Sequence, residues 1–399
     1  MRNNPNVVLG LDIGSHKVCA VVSEIDTEGE IHILGMGSSV VSGVTRSRID
    51  DIDEFYRSIE RAVRRASRDA EFLPQKVVAT IPYNRLQFVR NIGVLLSKEE
   101  TGQISESDFT ECIRRSRNVV KSQDQTMVHA IPSCYRVDGV DVQHPVGVFG
   151  KNLEVETLVV LADSDSILSQ TRVLKGLNFH ITGLVYDGIA TSQLYLTEKE
   201  RKEGAVLFDI GGRHTQVSIY KDDILQDSVL IPIGGETFSR DIAECLKISL
   251  PEAERLKVLY GDVMLNRIQS SQTIEATTQE IGKKEIKTLL LCQILEARLA
   301  ELLQLTQKQL PAAFEPHYTF VLGGGGGRLK GVVDYLEQKY SIHIRDGLPE
   351  ALKGSLDDHQ YATSLGLILY ALKTQALNFV ASPRQKFFLR LKKWIGQLF

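Results

Sequence analysis

The sequence predicts an α/β protein built as two related lobes. The chain has 399 residues, more than one ordinary hydrophobic core serves. Apolar strands alternate with amphipathic helices in both halves, the pattern of helices packed on sheets. The layout of VVLGLDIGSHKVCAVV near the start also returns from residue 204 as GAVLFDIGGRHTQVSIY. Each copy is an apolar strand, Asp-Ile-Gly, a tight turn and an alternating strand, as expected of a repeated lobe.

The opening VVLGLDIGSHKVCAVVSEI reads as strand, glycine turn and strand, and IHILGMGSSV as a further strand. Phe55, Ile59, Ala62, Val63 and Ala66 share one face and predict a helix from Asp53 to Ala70. KVVATIP is the next apolar strand. Residues 84–163 have the texture of an insertion, with short strands and one helix from about Glu106 to Val120. DSDSILSQTRVLKGLN opens with acid and serine, which suits a helix N-terminus. Residues 236–315 read as helix-dominated, and YTFVLGGGGGRLKGVVDYL as strand, glycine turn and helix. The expected domains are 1–83 with 164–203, the insertion 84–163, 204–235 with 316–380, the helical 236–315, and a terminal 381–399.

Composition narrows the function. A 43% hydrophobic, 24% charged chain of formal charge −3 offers no global positive field, which argues against bulk nucleic-acid binding. Cys19, Cys112, Cys134, Cys245 and Cys292 are odd in number and lack metal spacing, so they read as reduced thiols of a cytoplasmic protein. The N-terminus lacks the apolar stretch of a signal peptide, and no window approaches the roughly eighteen apolar residues a spanning helix needs.

Asp12-Ile13-Gly14-Ser15 and Asp209-Ile210-Gly211-Gly212 make sense as a facing pair of phosphate clasps. A tight turn aims successive N–H groups into one concavity, and glycine permits close approach of phosphate. Asp12 and Asp209 can each hold a water of Mg²⁺, and Lys17 can reach a phosphate as a point charge. One such copy alone is more simply a hairpin turn; two copies and a third glycine site favour the clasp. That third site, Gly323 to Gly327, fits neither the P-loop nor the dinucleotide fingerprint, because Arg328, Leu329 and Lys330 follow. It is a strand-to-helix turn stripped of side chains, either a flexible loop or a platform for a base or ribose.

The end of the chain, RQKFFLRLKKWIGQLF, places Phe387, Phe388, Leu391, Trp394, Ile395, Leu398 and Phe399 on one helical arc. Lys386, Arg390 and Lys393 lie opposite, after Pro383. Bulky apolar residues facing cations describe a helix lying on an anionic bilayer. Docking on its own domain is the plainer alternative, and a partner's groove a weaker one.

The three glycine sites, in this order, resemble the actin-like ATPase superfamily that includes chaperones and sugar kinases, and within it the bacterial FtsA family of cell-division proteins. The resemblance covers essentially the whole chain. It runs through LDIGSHKVCAVV, SESDFTECIRRSRNVV, HAIPSCYRVDGVDVQHPVGVFGKNLEVE, GLVYDGIATSQLYLTEKERKEG, IPIGGETFSRDIAECLKISLPEAERLKVLYG, DDHQYATSLGLILYAL and the basic tail. It implies an actin-like two-lobed ATPase fold with an FtsA-type inserted subdomain at 84–163 and a C-terminal amphipathic helix. Asp12, Gly14, Ser15 and Lys17 would form the first phosphate loop, and Asp209, Gly211 and Gly212 the second. Gly234 and Gly235 would approach the nucleotide, Glu254 and Lys257 face ribose and base, and Gly324 and Gly325 form the adenosine loop. Arg298 and Glu301 match a pair that holds the C-terminal peptide of FtsZ, the tubulin-like ring protein; an ordinary i,i+3 ion pair is the alternative.

The implied function is an ATP- and Mg-binding adaptor that polymerises into actin-like filaments and tethers FtsZ and other divisome proteins to anionic inner-membrane lipids. Its implied place is peripheral, on the cytoplasmic face of the inner membrane at the septum. The alternative is a pilus-assembly-type or chaperone-like ATPase of the same superfamily. One departure stands out: where the family pattern continues Gly-Thr, this chain has Arg213 and His214, with Gln216 for an acid. Arg213 could supply charge to the terminal phosphate, both side chains could occupy the phosphate space, or both could point away. Hydrolysis is expected to be slow, because phosphoryl transfer rests on the positioning these residues alter.

Overall fold

A computed structural model describes residues 6–26, 29–45, 48–82, 85–97, 102–278, 282–348 and 359–374. They fall into two compact units. The first comprises the described residues of Met1–Ala190 and Ser364–Lys392 with Asp223–Asp227; the second comprises those of Thr191–Asp222 and Ser228–Thr363.

The first unit opens with the antiparallel run β1 (Val7–Ile13), β2 (Lys17–Ile25) and β3 (Ile31–Val40). The small pair β4 (Val44–Thr45) and β5 (Arg48–Ile49) leads into α1 (Ile52–Ala70), and β6 (Lys76–Thr80) returns parallel to β1. Next come β7 (Gln87–Leu96), α2 (Glu106–Ser116), β8 (Gln125–Val137), β9 (Val140–Asp141) and β10 (Asn152–Asp163). These strands form a separate sheet, ordered β7-β10-β8-β9, with α2 packed on it. Helix α3 (Ser164–Gly176) and β11 (His180–Val185) then complete a five-stranded sheet, β11-β6-β1-β2-β3.

After α4 (Asp187–Tyr195) and α5 (Glu198–Glu203) the pattern repeats as β12 (Ala205–Ile210), β13 (Thr215–Lys221) and β14 (Ile224–Ile231). Helices α6 (Gly235–Leu246) and α7 (Leu250–Tyr260), strands β15 (Thr273–Thr278) and β16 (Gly282–Lys287), and α8 (Thr288–Gln309) follow. Strand β17 (Thr319–Gly323), α9 (Val332–Tyr340), β18 (Ile344–Asp346) and α10 (Ala362–Lys373) end the described chain. The second sheet is ordered β18-β17-β12-β13-β14, with β17 parallel to β12 as β6 is to β1. The two sheets thus share one topology, and the recurrence read from the sequence is a duplicated lobe.

Local physics explains the packing. Asp51 caps α1 by accepting from the Asp53 and Glu54 N–H groups at 3.0 Å, and the face carrying Phe55, Ile59, Ala62, Val63 and Ala66 is buried. Glycine is required at Gly35 and Gly37 on β3, where any Cβ would overlap the backbone of α1 at Ala66 and Ala62. On the strand beside β2, Gly10 gives similar clearance to Ser364 and Ile368 of α10. The Ser364 hydroxyl donates to the Cys19 carbonyl at 3.0 Å.

Two boundaries differ from the sequence reading. The helix expected to reach Val120 stops at Ser116, where the Asn91 amide donates to the carbonyls of Ser116 (2.9 Å) and Asn118 (3.3 Å). A strand residue thus supplies the helix's C-terminal hydrogen bonds, and β-branched Val119 and Val120 do not extend it. Within the stretch read as helix-dominated, β15 and β16 form an antiparallel hairpin, favoured by Thr-Ile-Glu-Ala-Thr-Thr alternation. The tail from Pro383, with every residue assigned above to a membrane-binding helix, lies outside the described residues.

One buried contact is acid-sensitive. His129 Nε2 on β8 accepts the Tyr186 N–H at 2.9 Å, and the Phe88 ring packs against Tyr186 at a 60° tilt with centroids 5.1 Å apart. The residue is half-buried by area, but its ring is enclosed, and desolvation pushes its pKa down to about 4. Because the folded value lies below the ordinary 6.5, this contribution is complete above pH 6.5 and disappears as pH falls towards 4. Urea unfolding should show a loss on the order of 3 kcal/mol across that window. His129→Gln should remove this component; an unchanged pH profile in that variant would assign the acid sensitivity elsewhere.

Candidate nucleotide site and family

The two hairpins close in the same way. In the first unit the Gly14 N–H donates to the Lys17 carbonyl at 3.0 Å; in the second the Gly211 N–H donates to the His214 carbonyl at 2.9 Å. Asp12 ends β1 half-buried, and Ser15 is half-buried in the turn, with Lys17 exposed just beyond. Thr80, at the end of β6, accepts the Ile13 N–H at 2.8 Å and places its hydroxyl 3.5 Å from Asp12 Oδ1. A parallel neighbour therefore fixes the height of the first turn.

The second unit gathers more of the residues singled out in the sequence. The Gly235 N–H donates to Gly211 O at 2.9 Å and the Glu236 N–H to Gly212 O at 2.7 Å, so the start of α6 is bonded to the hairpin turn. Gly234 makes this approach possible, since a Cβ there would lie 2.7 Å from Gly211 O and from the carbonyl carbons of Gly212 and Arg213. From α7, Lys257 Nζ donates to Gly235 O at 2.8 Å and to Glu254 Oε2 at 2.7 Å, and the Ser239 hydroxyl also donates to Glu254. Asp209 is paired in register with Gly323, which sets the glycine loop directly beside it. Gly324 adopts φ +76°, a conformation that favours glycine, and a Cβ there would overlap Asp209 Oδ1. Gly325, by contrast, faces open space, with no heavy atom within 4 Å of an added Cβ.

Arg213 does not stand free. Its Nε donates to Glu236 Oε2 at 2.9 Å, and Arg240 donates to Glu236 Oε1 at 2.5 Å. Partial burial pushes the Glu236 carboxyl up, but the two arginines outweigh it and hold the group below the ordinary glutamate range. Burial, then the charge of Arg213, lowers the His214 imidazole below its usual value, which favours the neutral ring at pH 7.

Sequence reasoning missed several of these partners. Glu236 had a signal, the i,i+4 spacing to Arg240 beside two glycines already singled out. Tyr195 and His359 had none: the Tyr195 hydroxyl meets His359 Nδ1 at 3.1 Å and accepts the Gly324 N–H at 3.4 Å, joining segments more than a hundred residues apart. Arg298 forms the expected pair with Glu301 and is also held by both carboxylate oxygens of Asp241 on α6, with Nη2–Oδ1 at 2.8 Å. Arg298 thus clamps α8 to α6.

Residues 206–366 match the family model described as cell division protein FtsA, and residues 84–161 match the SHS2 domain inserted in FtsA. The chain belongs to the FtsA family. FtsA of Pseudomonas aeruginosa is 25% identical over 407 residues, covering 98% of this chain and 97% of that protein. FtsA of Bacillus subtilis is 28% identical over 375 residues, covering 93% and 84%.

Among solved structures, a PilM–PilN type IV pilus biogenesis complex aligns with TM-score 0.66 at 16% identity, over 92% of this chain and 98% of that one. An MreB protein of Spiroplasma citri bound to ADP aligns with TM-score 0.54 at 12% identity, over 94% and 98%. These likenesses establish the fold: the chain is actin-like. Among the described residues no helix is long and apolar enough to cross a membrane.

Proposed function

We propose that this FtsA-family chain is a nucleotide-binding adaptor of bacterial cell division, not an enzyme organised for turnover. It would polymerise into actin-like filaments and tether FtsZ to the cytoplasmic face of the inner membrane at the septum. The carrying observation is the second unit's cluster, where the Gly211–Gly212 turn, the start of α6, Lys257 and the glycine loop converge beside Asp209.

That donor set fits a magnesium nucleotide. Lys257 and Arg213 supply cations, and Gly325 leaves its side of the loop bare for a flat group. In the second unit Asp209 would hold a water of the hydrated cation; in the first Asp12 would do so, and Gly14, Ser15 and Lys17 would take phosphate oxygens. Gly234 and Gly235 would let the backbone approach, and Glu254 would accept from ribose. ATP when bound would supply the charge that this cluster is arranged to hold. The side chain of Arg213 in place of the family's glycine argues for retention over turnover. The domain limits given from the sequence are proposed with the same reading.

Arg298 and Glu301 would receive the FtsZ C-terminal peptide, with Arg298 already oriented by Asp241. Arg298→Ala should weaken binding of a labelled FtsZ C-terminal peptide about tenfold or more, the scale of one lost charge-assisted bond. Glu301→Ala should weaken it less, and unchanged binding in both variants would return the pair to a purely intramolecular role. The second reading, a pilus-assembly-type or chaperone-like ATPase, draws on the PilM likeness. Phosphate release of several turnovers per minute, with or without FtsZ, would favour it.

A further inference from the structure

The second hairpin carries a guanidinium together with its own counter-ion. The Glu236 carboxylate binds Arg213 through one oxygen and Arg240 through the other, while the Glu236 N–H is bonded to Gly212 O at 2.7 Å. The group that holds Arg213 is therefore anchored to the turn that would grip phosphate. Arg213 remains 30% exposed, and among the described residues its two terminal nitrogens meet no other acceptor. Burial of its neighbour matters too: Glu236 is 19% exposed, so it is costly to leave without a cation.

We propose that Glu236 is an internal stand-in for phosphate: it holds Arg213 ready beside the second hairpin, and a bound nucleoside triphosphate takes the guanidinium over as a ligand. This rests on the reading of the hairpin as a phosphate clasp. Carboxylate and phosphate oxygens both accept charge-assisted hydrogen bonds from guanidinium; Glu236 gives Arg213 one oxygen, whereas a triphosphate offers several and carries the greater charge. The second arginine makes the exchange feasible. When Arg213 leaves, Arg240 still neutralises Glu236, so no bare carboxylate faces the incoming phosphates. The latch favours triphosphate over diphosphate, because the exchange depends on how much phosphate charge competes with one carboxylate.

The test is a double-mutant cycle on the full chain, with ATP and ADP dissociation constants measured in the presence of Mg²⁺ for wild type, Arg213→Ala, Glu236→Gln and the double variant. Arg213→Ala should weaken ATP about tenfold or more and ADP by less, and Arg213→Lys should recover part of the loss. Glu236→Gln should tighten ATP about three- to tenfold, and that gain should vanish when residue 213 is alanine. Unchanged or tighter ATP binding by Arg213→Ala would overturn the latch, since the side chain would then be idle or obstructive. An equal gain from Glu236→Gln in both backgrounds would also overturn it, reducing Glu236 to a simple repulsive charge. If wild type bound neither nucleotide, the nucleotide reading itself would fall, and the latch with it.

Discussion

Deletion of residues 384–399 should lower partition onto anionic vesicles by at least about a hundredfold in co-sedimentation. The tail holds five cations and no acid, so the remaining 383 residues carry a formal charge of −8 and are repelled by an anionic surface. Each lysine or arginine near such a surface is worth about 1 kcal/mol, before any contribution from burying the aromatic and aliphatic arc. Attachment and repulsion therefore change together when the tail is removed. Trp394→Ala should give an intermediate loss that persists at high salt, because it removes apolar contact and no charge. Equal binding by intact and truncated chains would end the membrane-tether reading, whatever the fate of the FtsZ contact.

Adjacent glycines in the loop after β17 should give opposite results. Gly324→Ala should cost about 2–4 kcal/mol in urea unfolding. Its φ of +76° disfavours any side chain, and the new Cβ would overlap Asp209 Oδ1 and the Ile210 carbonyl. Neither neighbour can move alone, since Asp209 is paired to Gly323 and Ile210 to Thr215. Nucleotide binding should fall with it. Gly325→Ala, at φ −64° with no heavy atom near the added Cβ, should fold as well as wild type or gain about 0.5 kcal/mol from the stiffer unfolded chain. It should nevertheless weaken nucleotide binding about tenfold or more by placing a methyl where a base or ribose would rest. Normal binding by Gly325→Ala would show that the loop is a structural turn and no platform.

Much of the fold was legible because its signals are local. Asp-Ile-Gly between an apolar and an alternating strand marks each hairpin, and the face of Phe55, Ile59 and Ala62 marks α1. Where a distant group decides, the reading slipped. The end of α2 is set by Asn91 from a strand, and the β15–β16 hairpin forms where neighbouring helices dominate the sequence pattern. The candidate site divided along the same line. Its turn glycines and Lys17 were readable from type and spacing, and Gly234, Gly235 and Lys257 came through the family resemblance, whereas Tyr195 and His359 behind Gly324, and Asp241 beneath Arg298, came through neither.

The sequence by itself determined the duplicated lobe and the three glycine turns, since each is written in residues close together along the chain. It also placed Arg213 at a turn where a small residue was expected, but left its direction open among three choices. Only the tertiary structure decided that: Arg213 turns to Glu236, which the start of α6 brings to the hairpin through the Gly235 and Glu236 N–H groups. The physical reason is that a charge's direction is set by its nearest counter-charge in space, and here that counter-charge lies 23 residues away in the chain.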